Sequence, residues 1–162
     1  MPLPGAGLRL RGMKRKRIVI ATDGSAGARE AVETGLSLAR GMGASVTLVY
    51  VRAKPRSILG DPLYQRSLSS ELAQARTTLD EATALAEEAG VDFESEILEG
   101  NPADRVAEVA RNRDADLIVV GSRGRGAFAG AVLGSVSLDL AHRADRPVLV
   151  ARSRVGAHRR AA

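Results

Sequence analysis

The chain has 162 residues, which is enough for one domain. Hydrophobic residues make up 44% of it and aromatic residues only 2%, so aliphatic side chains must form its core. The absence of cysteine excludes disulfides and thiol catalysis and favours a cytoplasmic protein, and no run approaches the roughly 18 apolar residues of a membrane span. The net charge of +5 comes from the two ends, since residues 18–151 hold 14 basic and 19 acidic residues. The basic ends carry no aromatic residues that could stack on nucleic-acid bases, so nucleic acid is not the expected partner.

The predicted elements alternate between strand and helix along the chain. Residues 1–16 are expected to be a basic, disordered extension, residues 17–151 the domain, and residues 152–162 a basic tail. Apolar segments rich in β-branched residues predict five buried strands, at 17–22, 46–51, 91–98, 117–120 and 147–151. Apolar residues at helical spacing predict helices over about 28–39, 68–89, 101–113 and 135–142, with Gly41 and Gly43 ending the first helix and a long loop at 52–66.

This order of elements predicts the fold class. Continuous apolar strands that alternate with amphipathic helices are typical of an α/β protein with one doubly wound, five-stranded parallel sheet. In such sheets a ligand lies beyond the carboxyl ends of the strands. Asp23, Val51 and the loop after the fourth strand should therefore meet there.

That loop, residues 121–134, carries the strongest functional signal in the chain. Its glycines follow the pattern Gly121-x2-Gly124-x9-Gly134-Ser135, directly after the apolar strand at 117–120. Glycine lets the main chain approach a ligand, and a helix that begins at Ser135 presents free N–H groups to an anion. Arg123 and Arg125 add positive charge. The loop therefore indicates a phosphate site, and with it a nucleotide.

Three separated segments together resemble the universal stress protein family. They are the glycine pattern, the opening Ala-Thr-Asp-Gly-Ser at 21–25 and the closing Arg-Pro-Val-Leu-Val at 146–150, and the resemblance covers about residues 17–151. It implies a Rossmann-like fold of the adenine-nucleotide-binding type, for which we expect the strand order 3-2-1-4-5. It also implies bound ATP and a homodimer, and Mg²⁺ bridging the phosphates would be normal for bound ATP.

The resemblance also implies roles for individual residues. Thr22 and Asp23 would lie at the adenosine end of the nucleotide, and Val51 would contact the base. Gly121 and Gly124 would lie against the ribose and phosphates, where Arg123 replaces the His that many relatives carry. The phosphates would be held by residues at the start of the last helix, namely Gly134, Ser135, Val136 and Ser137.

Several alternatives remain open from the residues alone. Asp23 could equally cap the following helix or contact a ligand. A glycine-rich loop can also be a tight connection between a strand and a helix that binds no ligand. Residues 124–129 match the dinucleotide fingerprint G-x-G-x-x-A, but they follow the fourth strand instead of the first, so NAD is not expected. Glu99 and Asp104 suit solubility and helix capping better than acid–base chemistry.

The function expected from the sequence is nucleotide-dependent regulation in a stress response, through a protein partner that the sequence does not identify. The runner-up is a slow ATPase or nucleotidyl-transfer enzyme of the same fold, and a third possibility is a nucleotide-free interaction dimer. The dimer would form through the fifth strand, Pro147 to Ala151, which is a sheet edge in the expected order. In the competing interpretation, Pro147, Arg146 and Arg152 blunt that edge and leave a monomer.

Overall fold

The structure, a computed structural model, describes residues 14–54, 62–125 and 133–152. The elements in chain order are β1 (Arg17–Ala21), α1 (Ala26–Met42), β2 (Ser45–Arg52), α2 (Pro62–Ala89), β3 (Phe93–Glu99), α3 (Pro102–Asn112), β4 (Leu117–Gly121), α4 (Ser135–Arg143) and β5 (Val148–Ala151). The expectations for residues 1–13, for the rest of the tail from 153, and for the middle of the glycine loop at 126–132 lie outside the described residues.

All strands pair in parallel in one sheet ordered β3-β2-β1-β4-β5, which confirms the expected α/β class and strand order. Alternate residues of β1 enter the two cores that cover the faces of the sheet. Ile18 and Ile20 pack towards α1 and α2, whereas Val19 packs towards α3 and α4. Burial on both faces explains why these strands read as continuous apolar runs.

Three predicted boundaries differ from the observed ones for local reasons. Gly41 lies inside α1, and Gly43 alone ends it, in the left-handed conformation with φ 62°. Helix α2 begins at Pro62, inside the predicted loop, because proline is tolerated in the first turn of a helix. Strand β3 begins at Phe93 and not at Val91, since the Val91 N–H still bonds to the Ala86 carbonyl at the end of α2.

The amino ends of the strands, which we call the amino edge, are held by ion pairs. The basic residues just before β1 pair with aspartates of two different loops, Lys14 with Asp114, Arg15 with Asp92 and Lys16 with Asp116. Residues 14–16, grouped with the basic extension in the sequence analysis, are thereby bound to the domain.

Hydrogen bonds at the amino edge also perturb one carboxyl group. The Lys16 ammonium donates to Asp116 at 2.9 Å, and the Arg17 N–H donates to the other oxygen at 3.0 Å. Both bonds favour the charged form, so they hold the pKa of Asp116 below its usual value.

Candidate functional site

The carboxyl ends of the strands, which we call the carboxyl edge, surround a cavity of about 240 Å³. The ends of β1, β2 and β4 and the start of α4 all reach it, as expected for a doubly wound sheet. The structure brings every residue of the sequence-predicted site to this cavity: Thr22, Asp23, Val51, Gly121, Arg123, Gly124, Gly134, Ser135, Val136 and Ser137. Pro102 and Val106 of α3 also line it and were not predicted, since their apolar character indicated only a helix face.

Asp23 anchors the glycine loop to the end of β1. Its Oδ1 accepts the Ser25 N–H at 2.9 Å, and its Oδ2 accepts the Arg125 N–H at 2.9 Å, across 102 positions of sequence. The helix cap is Ser25, whose Oγ accepts the Ala28 N–H at 3.2 Å. The capping alternative for Asp23 is therefore wrong, because that carboxylate positions the loop instead.

Gly121 is required by packing between main chains. A Cβ at Gly121 would lie 2.5 Å from the Gly27 carbonyl group and 2.8 Å from the Ala28 nitrogen, so β4 ends in contact with the first turn of α1. Gly27 is the matching position, since its own Cβ would lie 2.5 Å from the Arg123 carbonyl oxygen. The sequence analysis missed Gly27, although a glycine in a first helical turn next to a serine cap is itself a sign of close approach.

The other two motif glycines have different surroundings. A Cβ at Gly124 would lie 2.6 Å from Asp23 Oδ2, so glycine there leaves room for the bond between Asp23 and Arg125. At Gly134 the nearest atom of the described residues would be 3.4 Å from an added Cβ, an ordinary contact, and φ is −76°. The described residues therefore leave room for a side chain at Gly134.

The two ends of the glycine loop are bonded to each other. The Gly134 N–H donates to the Ser122 carbonyl at 2.6 Å, and the Ser137 hydroxyl, which is 1% exposed, donates to the Gly134 carbonyl at 2.9 Å. These bonds fix the direction in which α4 leaves the loop. The Ser137 side chain thus positions the helix start, although the residue lines the cavity.

Helix α4 begins at the cavity without a side-chain cap. Ser25 caps α1 and Asn101 caps α3, whereas the N-cap of α4 is Gly134 and makes no side-chain bond to the helix. Its N-cap residue therefore gives the first N–H groups of α4 no side-chain acceptor, and the positive end of the helix dipole lies at the cavity. This arrangement suits an anion.

Apolar side chains form the opposite part of the cavity, where Val49 and Val51 of β2 face Pro102 and Val106 of α3. The Val49 carbonyl accepts the Thr22 N–H at 2.9 Å, just past the end of β1. Main-chain bonds alternate along a strand, so the main chain of Val51 points the same way, beyond the end of β1. A flat apolar group could lie on these side chains and bond to the strand.

Among the described residues that line the cavity, the charged ones are Asp23, Arg123 and Arg125. Two acids considered from sequence are used elsewhere, since Glu99 pairs with Arg52 and Asp104 pairs with Arg143. Within residues 14–54, 62–125 and 133–152, no group of three histidine or acidic residues is arranged to hold a metal. In the same ranges, no helix has both the length and the apolar character needed to cross a membrane.

Comparison with known proteins gives a consistent result. The model of the universal stress protein family matches residues 14–152. A universal stress protein of Thermus aquaticus is 36% identical over 138 residues, spanning 85% of this chain and 98% of its own length. Among solved structures, a universal stress protein in complex with cAMP is 30% identical, with a TM-score of 0.63, over 86% of this chain and 98% of that one. UspA from Lactobacillus plantarum has the same fold, with a TM-score of 0.78 at 23% identity, over 86% of this chain and 100% of that one.

Proposed function

The chain belongs to the universal stress protein family, and from that premise we propose that it binds ATP at the carboxyl edge and acts as a nucleotide-dependent regulatory module in a stress response. The observation that carries the proposal is the uncapped start of α4, which opens on a cavity that is apolar on its other side. An anionic group and a flat apolar group joined in one ligand match these two halves.

The phosphates would lie at the start of α4 and against the glycine loop. There the main-chain N–H groups of Ser135 and Val136 would donate to phosphate oxygens, with the Ser135 hydroxyl assisting. The guanidinium of Arg123 would offset the remaining negative charge. Preorganisation supports this placement, because hydrogen bonds among Ser122, Gly134 and Ser137 hold the loop ends in position.

The adenine base would lie between β2 and α3. Val51 would contribute apolar contact and the main-chain groups that extend past the end of β1. The ribose would then come near Thr22, Asp23 and Gly121. A related protein solved with cAMP supports an adenine nucleotide as the ligand class.

We propose binding in preference to turnover. An ATPase needs a group that activates water, and the carboxylate among the described cavity residues, Asp23, already accepts two main-chain bonds. A steady-state assay for phosphate release by the purified protein separates the two functions, and sustained turnover would favour the enzyme.

We further propose a cytoplasmic homodimer that pairs through β5 and acts on a protein partner. Strand β5 lies at the edge of the sheet, and its Val148, Leu149 and Val150 are only half-buried in one chain. An exposed apolar edge strand is suited to antiparallel pairing with its copy about a twofold axis. Light scattering tests the dimer: only a 17.0 kDa species at micromolar concentration would contradict it, as would a Val148→Lys and Val150→Lys double variant that stays dimeric.

The direct test of nucleotide binding is mass spectrometry of the ligand retained by purified protein, followed by calorimetry with ATP. We expect saturable binding to the wild type. Absence of any affinity for adenine nucleotides would refute the proposed function.

A further inference from the structure

The glycine loop carries positive charge with nothing acidic to balance it. Residues 121–134 include Arg123 and Arg125 and no aspartate or glutamate. Both arginines are exposed and line the cavity, and among the described residues neither forms an ion pair. A ligand that enters the cavity therefore comes close to two positively charged residues as well as the positive end of α4.

The cavity is poorly equipped to hold a divalent cation. Magnesium prefers oxygen ligands in octahedral geometry and is usually held by one or two carboxylates together with the substrate phosphates. The carboxylate in the described cavity is Asp23, and each of its oxygens already accepts a main-chain N–H, from Ser25 and from Arg125. A metal bound by Asp23 would have to share an oxygen that anchors the loop. Among the described residues, the cavity thus offers Mg²⁺ one carboxylate, and that carboxylate is already hydrogen-bonded.

We propose that this chain selects the free polyphosphate form of its nucleotide over the magnesium complex. The inference rests on the proposed nucleotide function and concerns which ionic form is bound. Arg123 and Arg125 supply the positive charge that Mg²⁺ supplies at other phosphate sites, so a complexed divalent cation would cancel charge that the arginines attract and would repel them. The preference should grow with the number of phosphates.

The test is calorimetry with ATP, ADP and AMP, each in EDTA and in excess Mg²⁺ at matched ionic strength, because screening alone weakens charge interactions. With two exposed charge pairs involved, we expect ATP to bind about five- to tenfold more tightly in EDTA than in Mg²⁺. The ratio of the two affinities should be smaller for ADP and about one for AMP. Exchange-inert chromium(III)–ATP, which cannot shed its metal, should bind as weakly as the magnesium complex.

Variants identify the source of the preference. Replacing both loop arginines, Arg123→Gln and Arg125→Gln, should bring the EDTA to magnesium ratio for ATP close to one. The matched control replaces two exposed arginines of α2, Arg66→Gln and Arg76→Gln, which changes net charge equally but leaves the ratio as in wild type. Circular dichroism confirms that each variant is folded.

The outcomes separate the two claims. Magnesium–ATP that binds as tightly as free ATP, or a preference that survives in the Arg123 and Arg125 double variant, would overturn this inference while nucleotide binding stands. No binding of any nucleotide in either buffer would overturn the proposed function and this inference with it.

Discussion

The amino edge and the carboxyl edge of the same five-stranded sheet differ in how charges and main-chain groups are satisfied. At the amino edge, aspartates of separate loops meet basic residues of the segment before β1. At the carboxyl edge, α4 starts without a cap and two arginines of the glycine loop make no ion pair with a described residue. The charges of the amino edge are paired within the protein, whereas the carboxyl edge holds the groups to which we assign the proposed ligand.

The helices make this difference sharper. In a parallel α/β unit the helices end at the amino edge, where their last carbonyls carry partial negative charge. Arg15 Nε donates to the carbonyl of Gly43 at the end of α1, and Arg17 donates to the carbonyl of Arg113 at the end of α3. These arginines satisfy the negative helix ends, whereas the N-cap residue at the positive end of α4 is a glycine and makes no side-chain bond to the helix. Mutations at the two edges should therefore affect different quantities.

The largest expected effect is loss of stability from Gly121→Ala at the carboxyl edge. The added Cβ meets the Gly27 main chain at 2.5 Å, and neither β4 nor α1 can move without disturbing the core. We expect the free energy of unfolding to fall by roughly 1–3 kcal/mol in urea denaturation. Gly41→Ala is the control and should not lose stability, because Gly41 is an exposed helical glycine and, its own turn of helix aside, no described residue lies within 4 Å of an added Cβ. Equal stability of the two variants would contradict the close approach of β4 to α1.

Next in size is the effect of Gly124→Val on affinity. The new side chain would displace the Asp23 carboxylate, 2.6 Å from its Cβ, and release Arg125 from its anchor. Because Gly124 is exposed, we expect near-normal helical content and ATP affinity weaker by roughly 1–3 kcal/mol, measured by calorimetry. Gly41→Val should leave affinity unchanged. Wild-type affinity in Gly124→Val would show that the anchored loop is not needed for binding.

A smaller effect separates the neighbours Asp23 and Ser25. Asp23→Asn keeps one acceptor oxygen and loses the other, so one of two main-chain bonds is lost and ATP affinity should fall by about 1 kcal/mol. Ser25→Ala removes the α1 cap and should lower unfolding free energy by about 1 kcal/mol instead. Should Asp23→Asn lower stability as much as Ser25→Ala does and leave affinity intact, Asp23 would be structural only.

The sequence predicted the sheet and the residues that meet at its carboxyl edge because both depend on local patterns. Apolar strand runs and the order of elements determine a parallel sheet, and strand ends bring Asp23, Val51 and Gly121 together. The structural role of each glycine could not be predicted from the sequence. Gly121, Gly124 and Gly134 look alike in a motif, yet an added Cβ would meet Gly27 at the first and Asp23 at the second, whereas at the third the described residues leave room for it. Contacts between distant segments decide such roles.

The same limit applies at the amino edge. A run of basic residues without acids indicates a solvated extension, because nothing local reveals where partners lie. The partners of Lys14, Arg15 and Lys16 are Asp114, Asp92 and Asp116, each about 77 to 100 positions away in sequence. Only the finished sheet, which brings the starts of β1, β3 and β4 to one edge, places them together.

The smallest expected effect belongs to Asp116, where a change should alter stability with pH and leave binding untouched. Its pKa is lowered in the folded protein by the Lys16 hydrogen bond first and by the Arg17 N–H second. The charged Asp116 carboxylate therefore stabilises the folded protein fully above the unfolded pKa of about 3.9, and this stabilisation is lost as pH falls through the lower folded pKa. For this partly exposed pair we expect Asp116→Asn to cost about 1 kcal/mol or less at pH 7.

The pH profile identifies the cause of that loss. The difference in unfolding free energy between wild type and Asp116→Asn should stay constant through neutral pH and shrink as pH drops below about 3.9. Asp80→Asn, at an exposed aspartate of α2 without an ion pair among the described residues, should show no such difference. ATP affinity at pH 7 should match wild type in both variants, since Asp116 precedes β4 at the end opposite the cavity. If Asp116→Asn weakened ATP binding at unchanged stability, the two edges would be coupled, and the separation of a self-satisfied edge from a ligand-binding edge would fail.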